Sequence, residues 1–451
     1  PMPHYLGIDI GTFESKGVLV AADGAILASA SKPHQMLVPQ PGFAEHRPIE
    51  DWWDDFTWLS RALIADAKVA PTDIRAVGTS AIGPCMLPVD AAGTPLMNAV
   101  LYGVDTRAAK EVDELTARIG ADRVLAGCGN ALTSQSVGPK ILWLKRNRPD
   151  IFARTRMILT STSFIVHKLT GRTTIDHYTA ANTSPLYLAD DMTYSAALAA
   201  DIIDLDRLPD LAYATDIAGG MTRQAAAETG LAAGTPVIVG TIDAAAEALS
   251  VGVLDPGDTM LMYGSTIFII MITERRTHDA RLWTAPWLFP GEHAAMAGLA
   301  TSGTLTHWFR DNFARELDPG VAMAALAAEA ESTPPGARGL VLLPYFSGER
   351  TPIHDPRAKG VLFGLDLSHS RADIMRAVLE GIAYGTRHAL EAFAEAGIPP
   401  RVIHAVGGGT KNKVWSQATS DVTGQTQVVR EKTVGASYGD AFLAAADAAI
   451  A

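Results

Sequence analysis

The pattern of hydrophobic and polar positions over the first 80 residues predicts strands joined by tight turns, with a helix between them. Short apolar stretches predict strands over residues 5–10, 15–22, 25–31 and 74–80. Asp23-Gly24 is typical of a two-residue hairpin turn. Apolar residues recur at helical spacing over 48–69. Helices and strands alternate from there, which predicts an α/β domain with a mixed sheet.

Two further helical patterns complete this first half of the chain. Residues 105–120 form a helical pattern that begins with an acidic cap, and residues 138–156 form an amphipathic pattern ended by a proline. The pattern then restarts near residue 240, where a buried strand, a short loop and an alanine-rich helix are predicted over 235–252. We therefore divide the chain into two domains, 1–241 and 242–451.

The second half repeats the opening of the first. Residues 258–274 form two apolar strands joined by a Gly-Ser-Thr turn, just as the chain opens with a strand, a glycine-hydroxyl turn and a strand. We interpret this correspondence as an ancient duplication. Later elements are predicted as a long helix over 371–397, a strand, glycine loop and helix over 401–424, and a terminal helix over 435–451.

Composition and charge narrow the classes of function. The formal net charge of -12 and the pI near 5.5 argue against binding to nucleic acid or to an anionic membrane. The longest apolar stretch, residues 259–272, is too short to span a bilayer. Cys85 and Cys128 lack metal-type spacing and are expected to be buried thiols, which suits a reducing cytoplasm. We therefore expect a cytoplasmic protein without membrane or nucleic-acid partners.

The two glycine-hydroxyl turns are candidate phosphate sites. Neither leads into a helix, so neither fits the dinucleotide or P-loop patterns. Successive backbone N–H groups in a strand–turn–strand can still bind an anion, and Gly11 and Gly264 would let a phosphate approach closely. Thr12, Ser265 and Thr266 could add hydroxyl donors. The alternative for each segment is an ordinary tight β-turn.

Two aspartates are candidates for chemistry. Asp9 lies between Ile8 and Ile10 at a strand end, where a carboxylate is costly without a partner. Magnesium beside bound phosphate is one partner, and local backbone N–H groups are the alternative. Asp243 precedes the alanine-rich helix and could be an N-cap. It could equally accept the proton of a hydroxyl that attacks phosphorus.

A glycine loop near the C-terminus is a candidate nucleotide site. Gly407 to Gly409 separate a strand from a helix and would let a base or ribose lie against bare backbone, with Asn412 as a hydrogen-bond partner. Such loops also serve dinucleotide-dependent dehydrogenases. Those enzymes need the loop after the first strand of a parallel unit, with an acidic residue about 20 further on, and the position here does not match.

Together these segments resemble the FGGY family of carbohydrate kinases, whose fold is shared by actin, hexokinase and heat-shock chaperone ATPases. GIDIGTFESK is similar to the first phosphate motif of the family and MYGSTIFI to the second. GTIDAAAEALSVG resembles the segment of the catalytic aspartate, GGGTKNKVWSQATSDVTG the adenosine motif, and LYGVDTRA the Trp-x-Asp-x-Arg substrate segment. GVLFGLDLSHSRADIMRAVLE resembles the family signature. The resemblance covers the whole chain, in family order.

The resemblance implies an α/β protein of two ribonuclease H-like domains, each with a mixed β-sheet flanked by helices, and an active site in the cleft between them. It implies ATP and Mg²⁺ as cofactors, a small-molecule sugar as substrate, Asp243 as general base and Asp9 as metal ligand. The residues that it implies for phosphate binding are Gly11, Thr12, Lys16, Gly264, Ser265 and Thr266. Those for nucleotide binding are Gly408, Gly409 and Asn412, and those for substrate binding are Gly83, Asp105, Arg107 and Asp243.

The identity of the sugar rests on the branch of the family. LLPYFSGERTPIHDPRAKGVLFGL is most similar to the xylulose kinases, which implies phosphorylation of a ketopentose such as D-xylulose to D-xylulose 5-phosphate. Three departures fall in the expected sugar pocket: Gly83-Pro84 replaces a Met-His pair, Tyr102 replaces the Trp, and Ala244 stands where Asn is expected. Ribulose, a pentitol or glycerol therefore stay open as acceptors. A non-catalytic actin-like nucleotide switch is a further alternative, and a homodimer is left open.

Overall fold

The computed structural model describes residues 2–431 and 434–448. The described residues form two compact units. The first comprises those within Pro1–Ser250, Ala285–His293 and Thr433–Ala451. The second comprises those within Val251–Thr284 and Ala294–Lys432. The division expected near Thr241 thus differs from the observed one in three ways, the first of which is that residues 285–293 belong to the first unit. The helix after Ile242 stays with the first unit, and the last described helix returns to it.

The strands run through both units. In chain order they are β1 His4–Ile10, β2 Glu14–Ala21, β3 Ile26–Pro33, β4 Glu45–His46, β5 Ile74–Ala81, β6 Leu87–Val89, β7 Ala99–Val100, β8 Met157–Leu159, β9 Thr174–Asp176, β10 Tyr187–Leu188, β11 Thr193–Tyr194, β12 Asp210–Ala212, β13 Ile217–Gly220, β14 Pro236–Ile238, β15 Thr241–Ile242, β16 Asp258–Tyr263, β17 Ile267–Thr273, β18 Trp283–Pro286, β19 His293–Leu299, β20 Val341–Leu343, β21 Val361–Phe363, β22 Val402–Val406 and β23 Gln427–Val429.

The α-helices follow the same numbering in chain order. They are α1 Asp54–Ala67, α2 Ala109–Ile119, α3 Ala121–Cys128, α4 Val137–Asn147, α5 Pro149–Arg154, α6 Ser161–Thr170, α7 His177–Ala180, α8 Ala196–Ala199, α9 Arg223–Thr229, α10 Asp243–Ser250, α11 Gly303–Phe313, α12 Ala322–Glu331, α13 Arg371–Glu395, α14 Lys413–Thr423 and α15 Ala436–Ala448. The end of the predicted terminal helix lies outside the described residues. No helix of the described chain is long and apolar enough to cross a membrane.

The mixed sheet of the first unit has the order β13-β14-β5-β1-β2-β3, with β15 also paired to β5. β1 and β2 are antiparallel, whereas β1, β14 and β15 each run parallel to β5. Because β1, β5 and β15 are parallel, their carboxyl ends meet at one edge of the sheet. The segments that follow Ile10, Ala81 and Ile242 therefore emerge side by side.

The last helix packs on this sheet because two strand positions lack side chains. A Cβ at Gly7 on β1 would lie 1.9 Å from the Ser437 carbonyl oxygen, and one at Gly78 on β5 would lie 2.1 Å from the Asp440 carbonyl oxygen. The backbone of α15 occupies that space. This close approach is the reason that the described end of the chain belongs to the first unit.

The second unit repeats the arrangement of the first. Its sheet follows the order β18-β19-β17-β16-β22-β23, in which β16 is antiparallel to β17 and parallel to β22. The carboxyl ends of β16 and β22 therefore meet at one edge, as those of β1 and β5 do. The predicted α/β class with mixed sheets is confirmed, and the strand–turn–strand arrangement occurs in both sheets.

Two predicted helices differ from the observed ones. The helix expected from residue 105 begins at Ala109, because the Asp105 side chain accepts hydrogen bonds from other groups instead of capping it. The helix expected over 138–156 is divided, because Pro149 begins a second helix at its own position. Cys85 and Cys128 are buried thiols, as predicted.

Candidate active site

Asp9 lies at the carboxyl edge of the first sheet. It is the penultimate residue of β1, and the strand register sets it beside Lys16 of β2 and Ser80 of β5. The Ser80 hydroxyl lies 3.2 Å from Asp9 Oδ1. Burial raises the pKa of Asp9 well above its usual range, and the carboxylates of Asp243 and Glu247 raise it further. Ser80 and Lys16 act in the opposite direction.

Asp243 emerges at the same edge as the first residue of α10. Its Oδ1 accepts a hydrogen bond of 2.7 Å from the N–H of Ala244, the next residue. A capping side chain ordinarily accepts from the second or third N–H of the helix, so this bond differs from an N-cap. Burial, and then the charge of Glu247, raises the pKa of Asp243 to about 7. A carboxylate of that pKa can accept and return a proton near neutral pH.

Glu247 and Asp440 belong to this cluster although sequence reasoning missed them. Glu247 follows Asp243 by four residues, hence on the same face of α10, and burial raises its pKa while Lys16 opposes the shift. Asp440 on α15 is fully buried, and the Ser80 hydroxyl lies 2.8 Å from its Oδ2. The helical spacing could have indicated Glu247. No sequence signal indicated Asp440, because the Gly7 and Gly78 packing that brings it here is not visible in the chain.

The crowded carboxylates fit a cation that arrives with its own ligands. Among the described residues, no group of three or more His, Cys, Asp or Glu side chains is arranged to hold a metal ion by itself. Mg²⁺ usually keeps waters and phosphate oxygens and takes only one or two protein carboxylates. Asp9 fits that need, since neighbouring carboxylates disfavour its charge and a cation would favour it.

The first glycine turn, Gly11 to Phe13, follows β1, the strand that carries Asp9. The Gly11 N–H donates to the Glu14 carbonyl at 2.9 Å, and a Cβ at Gly11 would lie 2.5 Å from that oxygen. The Thr12 hydroxyl is 3.0 Å from the hydroxyl of Tyr102. The side chain of Lys16 is about half exposed. The structure therefore brings Gly11, Thr12 and Lys16 together with Asp9.

Gly83 lies at the same edge, two residues after the end of β5. A Cβ on it would lie 2.9 Å from Cδ1 of Ile242, the residue before Asp243. Tyr102 also faces this region, since burial raises its pKa and the charge of Asp243 adds to the shift. The sequence marked Tyr102 only as the residue that replaces the Trp of the expected substrate segment. In the structure its hydroxyl contacts the hydroxyl of Thr12 in the first glycine turn.

Asp105 and Arg107 form a closed ion pair. The Arg107 Nη2 donates to Asp105 Oδ2 at 2.8 Å and to Glu45 Oε1 at 2.8 Å, and the Ala44 N–H donates to Asp105 Oδ2 at 2.7 Å. The guanidinium carbon of Arg107 lies 3.9 Å from the ring centroid of Phe43. The side chains of the pair are 0% and 1% exposed. Their predicted contact with substrate stays a prediction, because the hydrogen bonds given above already occupy both side chains.

The second glycine turn lies at the edge of the second sheet. The carbonyl of Gly264 accepts a hydrogen bond of 2.9 Å from the N–H of Gly303, and that of Ser265 accepts one of 3.1 Å from the N–H of Ser302. A Cβ at Gly303 would lie 2.6 Å from the Gly264 oxygen, so the start of α11 fits against the turn only without a side chain. Ser265 is exposed and Thr266 is partly exposed.

The glycine loop lies beside that turn. Gly407 and Gly409 both pack on Tyr263. A Cβ at Gly407 would lie 2.5 Å from the Tyr263 carbonyl oxygen, and a Cβ at Gly409 would lie 2.7 Å from the Tyr263 Cβ. Among the described residues, no atom outside Gly408 and its two neighbours lies within 4 Å of a Cβ added to Gly408. The Asn412 side chain accepts from the Trp415 N–H at 3.1 Å and thus caps α14. Of the loop glycines, Gly408 offers bare backbone to a ligand.

Comparisons with known proteins agree with this arrangement. The N-terminal domain of the FGGY family of carbohydrate kinases matches residues 4–250, and the C-terminal domain of that family matches residues 259–448. The chain is 29% identical to the xylulose kinase of Bacillus subtilis (strain 168), covering 98% of the chain and 88% of the relative. It is 30% identical to the xylulose kinase of Escherichia coli (strain K12), covering 98% and 89%. The crystal structure of xylulose kinase from Rhodospirillum rubrum superposes with a TM-score of 0.92 at 32% identity, covering 99% of this chain and 90% of that one.

Proposed function

Because this chain belongs to the FGGY family of carbohydrate kinases, we propose that it phosphorylates a ketopentose such as D-xylulose with ATP, giving D-xylulose 5-phosphate and ADP. The xylulose kinases among its relatives support the choice of sugar. The observation that carries the proposal is Asp243, a carboxylate at a sheet edge with a pKa of about 7, beside Asp9 and the first glycine turn.

In this proposal Asp243 accepts the proton of the sugar hydroxyl as its oxygen attacks the terminal phosphorus of ATP. The bond from that phosphorus to the bridging oxygen breaks, and ADP leaves with the electron pair. A base with a pKa near the working pH suits both acceptance and later release of the proton. Phosphoryl transfer otherwise depends on positioning and charge, and the turn at Gly11 and Thr12 with Lys16 would supply these.

Mg²⁺ would neutralise phosphate charge during the transfer, and Asp9 is the residue that we propose to hold it. The fit rests on the crowding of Asp9 by Asp243 and Glu247. In the second unit, the turn at Ser265 and Thr266 is a candidate for phosphate binding, and the backbone at Gly408 is a candidate for nucleoside binding.

A different acceptor is the second candidate, because Gly83 and Ala244 stand where larger side chains are expected in a xylulose kinase. A glycine in contact range of Ile242 replaces a larger side chain expected for a xylulose kinase, and Ala244 removes an amide next to the base. Both changes alter contacts with the sugar and leave the phosphate machinery in place. D-Ribulose, L-ribulose, ribitol and glycerol are the acceptors that this candidate favours.

An acceptor screen tests the proposal. ADP release would be measured with each of these polyols and ketoses and with D-xylulose, for the wild type and for Asp243→Asn. Asp122→Asn is a matched control, because Asp122 is an exposed residue in the first turn of α3, a helix of the same length as α10. We expect the highest kcat/KM for a ketopentose, loss of turnover in D243N and full turnover in D122N. ADP release at the background rate with every acceptor would refute the kinase proposal.

We also propose that the enzyme works in the cytoplasm. Buried thiols at Cys85 and Cys128 fit a reducing compartment, and ATP is the phosphate donor.

A further inference from the structure

Two histidine side chains bind backbone carbonyl oxygens of the first glycine turn. The Nε2 of His34 lies 2.9 Å from the Gly11 carbonyl oxygen, and the Nε2 of His46 lies 2.9 Å from the Thr12 carbonyl oxygen. The backbone N–H of His34 also donates to the Phe13 carbonyl at 2.9 Å. Three successive carbonyls of the turn are therefore bound by two residues that no sequence motif indicated.

The partners of His34 require both of its ring nitrogens to donate. Nε2 faces a carbonyl, which can only accept, and Nδ1 lies 2.8 Å from Asp55 Oδ2. That carboxylate also accepts from Ser15 Oγ at 2.7 Å, and the Lys32 ammonium lies 3.0 Å from its other oxygen. All three of these neighbours face the Asp55 carboxylate with donor groups. The arrangement therefore assigns His34 as an imidazolium, with its side chain only 4% exposed.

The partners of His46 require the neutral form. Its Nδ1 accepts from the indole N–H of Trp52 at 3.0 Å, since an indole can only donate, and its Nε2–H donates to Thr12. The rings of His34 and His46 stand edge to face with centroids 4.9 Å apart. Burial, and then the charge of His34, lowers the pKa of His46 to about 4. The pair thus carries one charge, on His34.

The carbonyl contacts fix the N–H groups on the opposite side of the turn. In a trans peptide unit, C=O and N–H point in opposite directions. Binding of the Gly11 carbonyl therefore orients the Thr12 N–H away from His34, and binding of the Thr12 carbonyl orients the Phe13 N–H away from His46. We infer that His34 and His46 are positioning residues that aim these two N–H groups at the nucleotide phosphates, and that the charge of His34 makes the grip depend on pH. This inference rests on the proposed function.

The direction of the pH dependence follows from the surroundings of His34. Burial lowers its pKa, but the hydrogen bond and charge of Asp55, the Gly11 carbonyl and the charge of Asp51 together raise it above 6.5. The other charged and titratable groups near it are His46, which is neutral, and Lys32, which binds Asp55. The hydrogen bond from His34 to the Gly11 carbonyl is therefore charge-assisted below the raised pKa of His34, and it weakens as the pH rises through that pKa.

Binding of ADP, measured by calorimetry from pH 6 to 9.5, tests the inference without any sugar. The variant His34→Gln keeps an amide donor but has no charge to lose. The ratio of wild-type to H34Q affinity cancels the titration of the nucleotide and of Asp243. We expect about three- to tenfold tighter binding by the wild type at low pH, the effect of one hydrogen bond, and a ratio that declines towards one at high pH. In His167→Gln, a control in a half-buried histidine of α6, the wild-type affinity should persist at every pH.

The variant Asp55→Asn supplies an independent readout. Loss of that carboxylate should move the pH midpoint of ADP affinity, and the ¹⁵N shifts of the His34 ring, to lower pH. If H34Q does not fold, this comparison with the wild type still decides. An affinity ratio that is constant with pH, or an unchanged midpoint in D55N, would overturn the inference and leave the kinase proposal untouched. An acceptor screen without turnover would refute the kinase proposal. The ADP measurement would still test whether His34 and His46 position the N–H groups of the turn.

Discussion

The variant Asp243→Asn should make the folded protein more stable at neutral and alkaline pH while it lowers kcat. The carboxylate has an ordinary pKa of 3.8 and a folded-state pKa of about 7. Because the folded pKa is raised, the folded state keeps a proton that the unfolded chain has already released. Stability of the wild type is therefore highest below pH 4 with respect to this group, and it falls as pH rises through about 7. Asparagine does not titrate.

The size of the effect follows from the shift of about three pH units. Each unit corresponds to about 1.4 kcal/mol, so the free energy of unfolding of D243N relative to the wild type should grow by up to about 4 kcal/mol between pH 4 and 7 and then level off. Asp9 shares this change, since its own pKa is raised in part by the charge of Asp243. The difference in free energy of unfolding between D243N and the wild type therefore reflects the titration of Asp9 and Asp243 together.

Urea unfolding followed by circular dichroism at pH 5, 6, 7 and 8, without ligands, measures this difference, and Asp122→Asn controls for loss of one surface charge. Kinetic assays on the same samples should show kcat lower by about 10²–10⁴, the usual contribution of a positioned base, with ADP affinity retained. Parallel stability curves for the wild type and D243N would show that Asp243 carries no raised pKa. Normal turnover in D243N would refute its role as base.

Much of this fold could be predicted because its signals are local. The hairpin of β1 and β2 and that of β16 and β17 are each encoded within about 17 residues, as apolar strands around a glycine turn. The parallel partner of each hairpin follows from the alternation of helices and strands. Asp9 and Asp243 could be singled out for the same reason, since each is an acidic residue at the end of an apolar strand.

The rest depends on contacts between distant residues. Asp440 reaches Ser80 across 360 positions, and only the absence of side chains at Gly7 and Gly78 allows it. The histidine pair lies 23 and 34 residues from the carbonyls that it binds, with no motif to mark it. Arg107 shows the opposite case, where a local motif was visible but the structure buries it with Asp105.

Two further sets of variants separate binding from packing. In Thr12→Val and Thr266→Val, the loss of a charge-assisted hydroxyl donor should raise KM for ATP by about 5- to 150-fold, the equivalent of about 1–3 kcal/mol, with kcat less affected; unchanged ATP kinetics in both would show that the turns are only structural. Arg107→Met keeps the stem of the side chain but leaves the Asp105 carboxylate buried with the Ala44 N–H as its remaining donor from another segment, so urea unfolding should show a loss of about 3–5 kcal/mol. The double variant with Asp105→Asn should recover part of that loss, because the Asp105 charge is then gone while Glu45 still lacks its guanidinium partner. A stability of R107M within about 1 kcal/mol of the wild type, together with a raised KM for the sugar, would show instead that Arg107 serves the substrate.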